Sequence, residues 1–482
     1  MKQQSIKKNF IYSTMYQILQ VLSPLITAPY VSRVLGADGI GVYSYTSSLV
    51  SYFVMFAALG VLSYGNREIA QQRDDSELTS KIFWEIEIVV VVMSLISLGL
   101  WIVFSFFYSQ YTVYLLILST QIIGVIFDIS WFFSGLELYN YIAIKNSICK
   151  IISIILIFVF VKSASDTWIY VLIMSAAILV GNMSMWTNLK TYLVPVSVKT
   201  FTFKKHIREM LVYFLPTIAT SVYTVMDKSL IGLITNSESQ NGYYDQATKI
   251  INIAKSVTFV SINNVMGSRT SYLFRQKAYE EIRERIEETF NLIFIIGFAI
   301  SFGISACAYW LVPWFFGPGY EPVVWLLILL TPVVLIIGIS NCAGTLYYTP
   351  AGYRAKSTKY IVTGSVVNLI MNILLIPHFG AYGAAVGTVV AESVITLLYV
   401  YHSDGFVKWH QIISLSSKRC LAGAIMCAVI VAVSWNRTPS IVLTICQVII
   451  GGIVYVSLLW LMNDQFLKKY TLAFLRKMRI IH

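Results

Sequence analysis

The sequence predicts an all-α polytopic membrane protein with about fourteen transmembrane helices, and three observations lead there. Of its 482 residues 57% are hydrophobic and only 12% are charged, about half the charged share of a soluble domain. The apolar residues fall into runs of the roughly 20 residues needed to cross the hydrocarbon core of a bilayer. Lys and Arg gather in every second connection between those runs, as the positive-inside rule requires of a multi-pass chain.

The first run, 10–32, follows Lys2, Lys7 and Lys8 as a secretory signal would. It is too long for a signal core, and no small-x-small cleavage pattern follows, so it reads as a retained helix. Helices are then predicted at 39–64, 82–107, 111–134, 141–162 and 167–188. The long connection Leu189 to Met210 separates these six from 211–235, 243–268, 288–312, 320–345, 357–377 and 380–402. Two more, 418–435 and 439–461, precede a basic tail. The expected organisation is an N-lobe over 1–200, a C-lobe over 201–405, and a terminal pair with its tail over 406–482. Within the long connection, Phe203-Lys-Lys-His-Ile-Arg208 predicts a short interfacial helix. Pro24, Pro29, Pro216, Pro313 and Pro332 are expected to bend their helices. Gly380, Gly383 and Gly387, with Ala384 and Ala385, offer a small-residue face for close packing.

The net charge of +12 is explained by topology and contact with anionic lipid rather than nucleic acid. All of the 35 Lys and Arg residues are assigned to the inner segments, in the connections and tails or at the inner ends of the helices, except Arg33, Lys162, Lys228, Lys249, Lys255 and Arg437. Both termini are therefore expected in the cytoplasm. A weak repeat relates the halves. Pro24 and Gly41-Val-Tyr43 answer to Pro216 and Gly242-Tyr-Tyr244 at an offset of 201 residues. Six-helix halves in the same orientation form parallel repeats, an architecture that puts a site at their interface around a central cavity. The six cysteines form no CxxC or metal-ligand spacing, and read as small apolar residues.

Chemistry is expected where charge enters apolar runs, because such residues face a cavity or a partner. Thr217, Thr220, Thr224 and Asp227 lie on one face of the seventh helix, with Lys228 beside them. Asp245, Lys249, Asn252 and Ser256 lie on one face of the eighth, continued by Asn263 and flanked by Lys255. These stripes line a polar path, or else Asp227 is neutralised by Lys228 or Lys249. Arg33, near the outer end of the first helix, either snorkels or points into the cavity. Asp128 is either an ion-coupling group or a side chain reaching cytoplasmic water. Glu392 has no charged neighbour in sequence and can exchange protons. Asn368 and Asn372 read as interhelical glue. The candidates are thus Arg33, Lys228, Lys249, Lys255 and Asn252 for substrate, and Asp227, Asp128 and Glu392 for ion coupling. No metal site is expected. There is no GxxxxGK[ST] phosphate loop, and no long outer loop for a polymerase site.

Three stretches carry a family resemblance. PLITAPYVSRVLGADGIGVYSY (24–45), WFFSGLELYNYIAIKNSICKI (131–151) and PTIATSVYTVMDKSLIG (216–232) resemble Wzx-type bacterial polysaccharide flippases. Those belong to the multidrug/oligosaccharidyl-lipid/polysaccharide exporter superfamily. The motifs cover about the first 270 residues. The resemblance implies two six-helix lobes around a central cavity, plus two C-terminal helices, in a bacterial cytoplasmic membrane. It implies undecaprenyl-pyrophosphate-linked oligosaccharide as cargo for capsule, exopolysaccharide or O-antigen synthesis. Movement would be by alternating access on a proton or sodium gradient, with no cofactor and no enzymatic step. It implies membrane lipids, a polysaccharide polymerase and a chain-length regulator as partners. A lysine is a point charge that suits a pyrophosphate. The cation pattern departs from that expected of lipid II flippases, which concentrate arginines in the N-lobe. The rival readings are a multidrug antiporter, which calls for an acidic cavity, a polytopic glycan polymerase, and a non-transporting scaffold.

Overall fold

The computed structural model describes the backbone of residues 6–477, and their side chains apart from 6–11, 13, 215–217, 219–223, 259–269 and 472–477. Pro216, Thr217, Thr220 and Asn263 thus lie outside the described side chains. Described residues form helices and turns only, and they divide into two compact units, Met1–Gly242 and Tyr243–His482.

The first unit opens with α1 (Ile6–Ala58), in which Gly36 (φ 67°, ψ 179°) separates two helical runs. A Cβ is strained at that φ, so glycine makes the turn. Pro24 and Pro29 lie inside the first run without ending it. A further turn at Gly60 leads into α2 (Val61–Gln72). Next comes α3 (Ser76–Phe107), capped by the Asp75 carboxylate, which accepts the amides of Glu77 and Leu78 at 3.1 and 3.0 Å. The predicted helix 111–134 is two pieces, α4 (Thr112–Ile126) and α5 (Ser130–Gly135), broken at Asp128. Then follow α6 (Tyr139–Phe160), α7 (Thr167–Met185) and α8 (Phe203–Thr235).

The stretch 203–208 is the start of α8 rather than a separate interfacial helix. The reason is His206, which is buried. Its Nδ1 lies 2.8 Å from the Tyr64 hydroxyl and its Nε2 2.9 Å from the Glu85 carboxylate. Glu85 also accepts the Thr202 amide at 2.6 Å, and Lys205 pairs with Glu68 at 3.0 Å. These bonds tie α8 to α2 and α3, and they follow the general rule that buried polar groups find partners. The apolar core beside them is aromatic. Tyr64, Phe83, Trp101, Trp131, Phe132 and Phe133 are fully buried, and Phe83 stacks on Trp131 at 5.5 Å.

Two close approaches explain the repeat glycines of the first unit. A Cβ on Gly41 would lie 1.7 Å from the carbonyl oxygen of Glu238, and one on Gly242 would lie 2.0 Å from that of Ala37. The offset of 201 carries Ala37 onto Glu238 and Gly41 onto Gly242. The two contacts are therefore reciprocal, each glycine admitting the backbone of the other segment.

In the chain's second half α9 (Glu238–Arg275) and α10 (Tyr279–Phe315) are long. The predicted helix 320–345 divides into α11 (Glu321–Leu330) and α12 (Pro332–Ala343), with Pro332 at the division and a π turn over Gly344–Tyr348. Then come α13 (Arg354–Phe379), α14 (Ala381–Tyr401), α15 (Trp409–Ser434) and α16 (Ile441–Leu461). The basic tail holds a helix not foreseen, α17 (Gln465–Lys477). Gly383, Ala384, Ala385 and Gly387 are buried where α14 packs on α13. The two asparagines of α13 are fully buried, and Asn372 donates to Asn368 at 3.1 Å. Arg419, counted above with the topology charges, is a buried cross-link. It donates to Asp464 at 3.0 Å and to Asn291 at 2.6 Å.

Eleven helical stretches of the described residues are long and apolar enough to cross a membrane. The count differs from fourteen because the first stretch contains the break at Gly36, and because α8 and α9, whose side chains are described only in part, are not among them. The chain is a multi-pass membrane protein. Its cysteines are unpaired. Cys307 and Cys342 are buried as expected, whereas Cys420 and Cys446 are exposed on their helices.

Candidate functional site

In the first unit Arg33 is exposed, one turn before the break at Gly36. Asp227 on α8 is buried, at 6% exposure. Its charge acts on the Tyr52 hydroxyl of α1. Two residues on, Ser229 donates to Ser48 of α1 at 2.8 Å, so this part of α8 is packed against α1. Lys228 is half-buried, and its carbonyl accepts the Asn241 amide group at 2.9 Å. Asp128 is half-buried at the break between α4 and α5, where it accepts the Ser130 amide at 3.0 Å.

In the second unit α9 presents two different faces. Tyr244, Ala247, Ile251, Ala254 and Thr258 are buried, and the Tyr244 hydroxyl lies 3.1 Å from that of Thr388 on α14. Asn252 is exposed, and Lys249, Lys255 and Ser256 are half-buried. Of the polar stripe, Lys249, Asn252 and Ser256 thus stay accessible while Asp245 is buried with the packed side. Lys249 reaches back one turn to Asp245, at 2.6 Å. Lys255 is brought within electrostatic reach of Glu392 on α14, which is 8% exposed. The carboxylate without a charged neighbour in sequence therefore has a cationic one in space. Among the described residues no group of three or more His, Cys, Asp or Glu converges as a metal site.

Among these candidates the acids Asp227, Asp245 and Glu392 are buried and Asp128 is half-buried, while Arg33, Lys228, Lys249 and Lys255 retain access. A family description, "Polysaccharide biosynthesis protein", matches residues 6–266. The chain belongs to that family. Members and relatives extend the match beyond this region. A protein of Escherichia coli K12 named "Putative O-antigen transporter" is 24% identical over 399 residues, covering 82% of this chain and 95% of its own length. The "Probable low-salt glycan biosynthesis flippase Agl15" of Haloferax volcanii is 26% identical over 191 residues, 38% of this chain and 39% of its own. Among solved structures, the inward closed conformation of the lipid II flippase MurJ superposes with a TM-score of 0.73. It covers 94% of this chain and 98% of that one at 17% identity, a likeness of fold. The Wzx-type resemblance read from three stretches thus agrees with the family.

Two intramembrane acids, Glu85 and Glu87, escaped the sequence reading. Glu85 and Glu87 both stand inside the apolar helix α3, and both are 2% exposed. Glu85 is accounted for by His206 and Thr202. Glu87 has neither carboxylate oxygen in a hydrogen bond. Its signal was available, as a carboxylate set directly before the run Ile88 to Met93.

Proposed function

We propose that this chain is a flippase for undecaprenyl-pyrophosphate-linked oligosaccharide repeat units, carrying them from the inner to the outer leaflet of a bacterial cytoplasmic membrane. Both termini lie in the cytoplasm, and the product feeds the synthesis of a capsule, exopolysaccharide or O-antigen. The single observation that carries this reading is the sorting of charge by exposure. The side chains open to a passing ligand are Arg33, Lys228, Lys249, Lys255 and Asn252, which favours a phosphate-bearing cargo. An antiporter of organic cations calls for the reverse, with accessible acids. Family membership supports glycan transport, as do the names of the Escherichia coli and Haloferax volcanii relatives.

The cargo's pyrophosphate would exchange its hydration for lysine contacts, and each charge-assisted hydrogen bond contributes about 1.5–3 kcal/mol. Asp245 competes for Lys249 and Glu392 for Lys255, so release follows when either pairing is restored. Ion coupling is assigned to the buried acids Asp227 and Glu392 and to the half-buried Asp128. A membrane potential supplies about 2.3 kcal/mol per charge per 100 mV, enough to bias such a cycle. The polymerase and chain-length regulator would act on the delivered units at the outer leaflet.

The test is to measure the leaflet distribution of lipid-linked oligosaccharide in cells lacking the chain. The expected result is accumulation on the inner leaflet, restored by wild type and not by Lys255→Ala made to the same level. Normal export with Lys255→Ala and Lys249→Ala combined would overturn the anion reading.

A further inference from the structure

We infer that Glu87 and Asp128 form a proton-carrying pair in the first unit, with Glu87 as the buried store and Asp128 as its port. This rests on the ion-coupled reading above and names both the ion and its seat.

The geometry comes from three elements. Phe83 on α3 stacks face to face on Trp131 of α5 at 5.5 Å, with 20° between the rings. Glu87 is one helical turn after Phe83, and Asp128 is three residues before Trp131, so the stack holds the two carboxylates near one another. Asp128 is the charge that acts on Glu87. Glu87 itself is 2% exposed with both oxygens unbonded. An ionised carboxylate so placed lacks both water and a compensating partner, the most costly arrangement a side chain can adopt. A proton removes that cost, and the pair then carries one negative charge instead of two.

Among the described residues, no cation acts on Glu87. The helices packed on α3 include α1, α2, α4 and α8, and α5, which touches it through Trp131, carries no titratable side chain. Along 39–58 and 112–126, α1 and α4 contain no Asp, Glu, Lys, Arg or His. From α2 and α8, Glu68 is paired with Lys205, Arg67 donates to the Tyr213 hydroxyl at 2.7 Å, and His206 is taken by Glu85 and Tyr64. Lys81, on α3 itself, faces Glu85 at 3.9 Å.

The same surroundings favour a proton over a metal cation. A hard cation takes several oxygen ligands. The carbonyls nearest the break at Asp128 are already engaged. Gly124 accepts from Asn182 at 2.8 Å, and Phe127 accepts from the Trp186 indole at 3.0 Å.

The break gives the pair its route. Asp128 is half-buried on non-helical backbone between α4 and α5, where a small change of backbone torsion alters its access to water. In the proposed step a proton from water joins an Asp128 oxygen and passes to a Glu87 oxygen, leaving Asp128 ionised. The return step releases the proton to water when the break has moved. Broken helices near an ion site are common in transporters.

The experiment has two arms, both on the full chain. In lipid nanodiscs, infrared difference spectra across a pH titration should show the carbonyl stretch of a buried carboxylic acid. Glu87→Gln should remove that band, and Asp128→Asn should shift its titration. In proteoliposomes, an imposed pH gradient should accelerate translocation of lipid-linked oligosaccharide by wild type. Glu87→Gln should lose the acceleration and keep gradient-independent cargo binding, and Glu87→Asp should restore part of it. A band that survives Glu87→Gln, or one removed by sodium at constant pH, overturns the inference. So does full gradient acceleration in Glu87→Gln. Should wild type move no oligosaccharide while the band still titrates through Glu87, the flippase reading fails and the proton site stands. Glu87→Asp and Asp128→Asn keep the test decisive if Glu87→Gln does not fold.

Discussion

Helix α3 in the first unit and helix α9, most of which lies in the second, each place two like charges within an apolar frame. On α3, Glu85 and Glu87 stand two residues apart with equal burial. Glu85 is bonded to His206 and Thr202, and Glu87 is bonded to nothing. On α9, Lys249 closes a 2.6 Å pair with Asp245 one turn away, while Lys255 faces the charge of Glu392 across to α14 without so short a contact. Residue type and depth are matched within each helix, so the difference lies in the partners. A charge whose partners saturate it holds helices together. One left unsaturated is available to a proton or a ligand, because the free energy of meeting a partner has not been spent in folding.

That contrast can be broken by mutation. The largest effect is expected from Glu85→Ala, which strands the His206 ring and the Thr202 amide. Removing one member of a buried, hydrogen-bonded set costs about 3–5 kcal/mol, read as a loss of melting temperature or of folded yield in detergent. If Glu85→Ala melts like wild type, saturation is not what gives Glu85 its place. Next comes Lys255→Ala. Loss of a charge-assisted phosphate contact of about 3 kcal/mol corresponds to roughly a hundred-fold lower affinity for lipid-linked oligosaccharide, measured by binding to the purified protein with its melting unchanged. Lys249→Ala is expected to cost less, about 1.5 kcal/mol or roughly ten-fold, since Asp245 already holds that ammonium. Equal losses from the two lysines would remove the distinction drawn on α9. The smallest effect belongs to Glu87→Leu. With no hydrogen bond to lose, its stability is expected to stay within about 1 kcal/mol of wild type or to rise, the opposite of Glu85→Ala two residues away.

Much of the fold was legible. Runs of apolar residues have one physical use at this length and frequency, and the structure departs from the predicted helices mainly at their ends and breaks. Those breaks were harder to read. Pro332 divides a predicted helix as its missing amide requires, but Pro24 and Pro29 do not end theirs. Nothing local announces the break at Asp128. The stretch 203–208 looked interfacial because its lysines and arginine suit a membrane surface. What overrides that pattern is His206, whose two ring nitrogens meet Tyr64 and Glu85 from elsewhere in the chain.

The candidate site divides in the same way. Periodicity placed Asp245, Lys249, Asn252 and Ser256 on one face of α9, and the structure keeps the last three accessible while it buries Asp245. Sequence alone determined that this is a multi-pass helical membrane protein with surplus cations in apolar helices, because hydropathy, helical period and charge are properties of the residues themselves. Only the tertiary structure decided which charges are satisfied. It gave Glu392 the nearby charge of Lys255, made a buried cross-link of Arg419, and separated Glu85 from Glu87. A partner is a position in space, supplied by a segment tens or hundreds of residues away, and burial sets how much each missing partner matters.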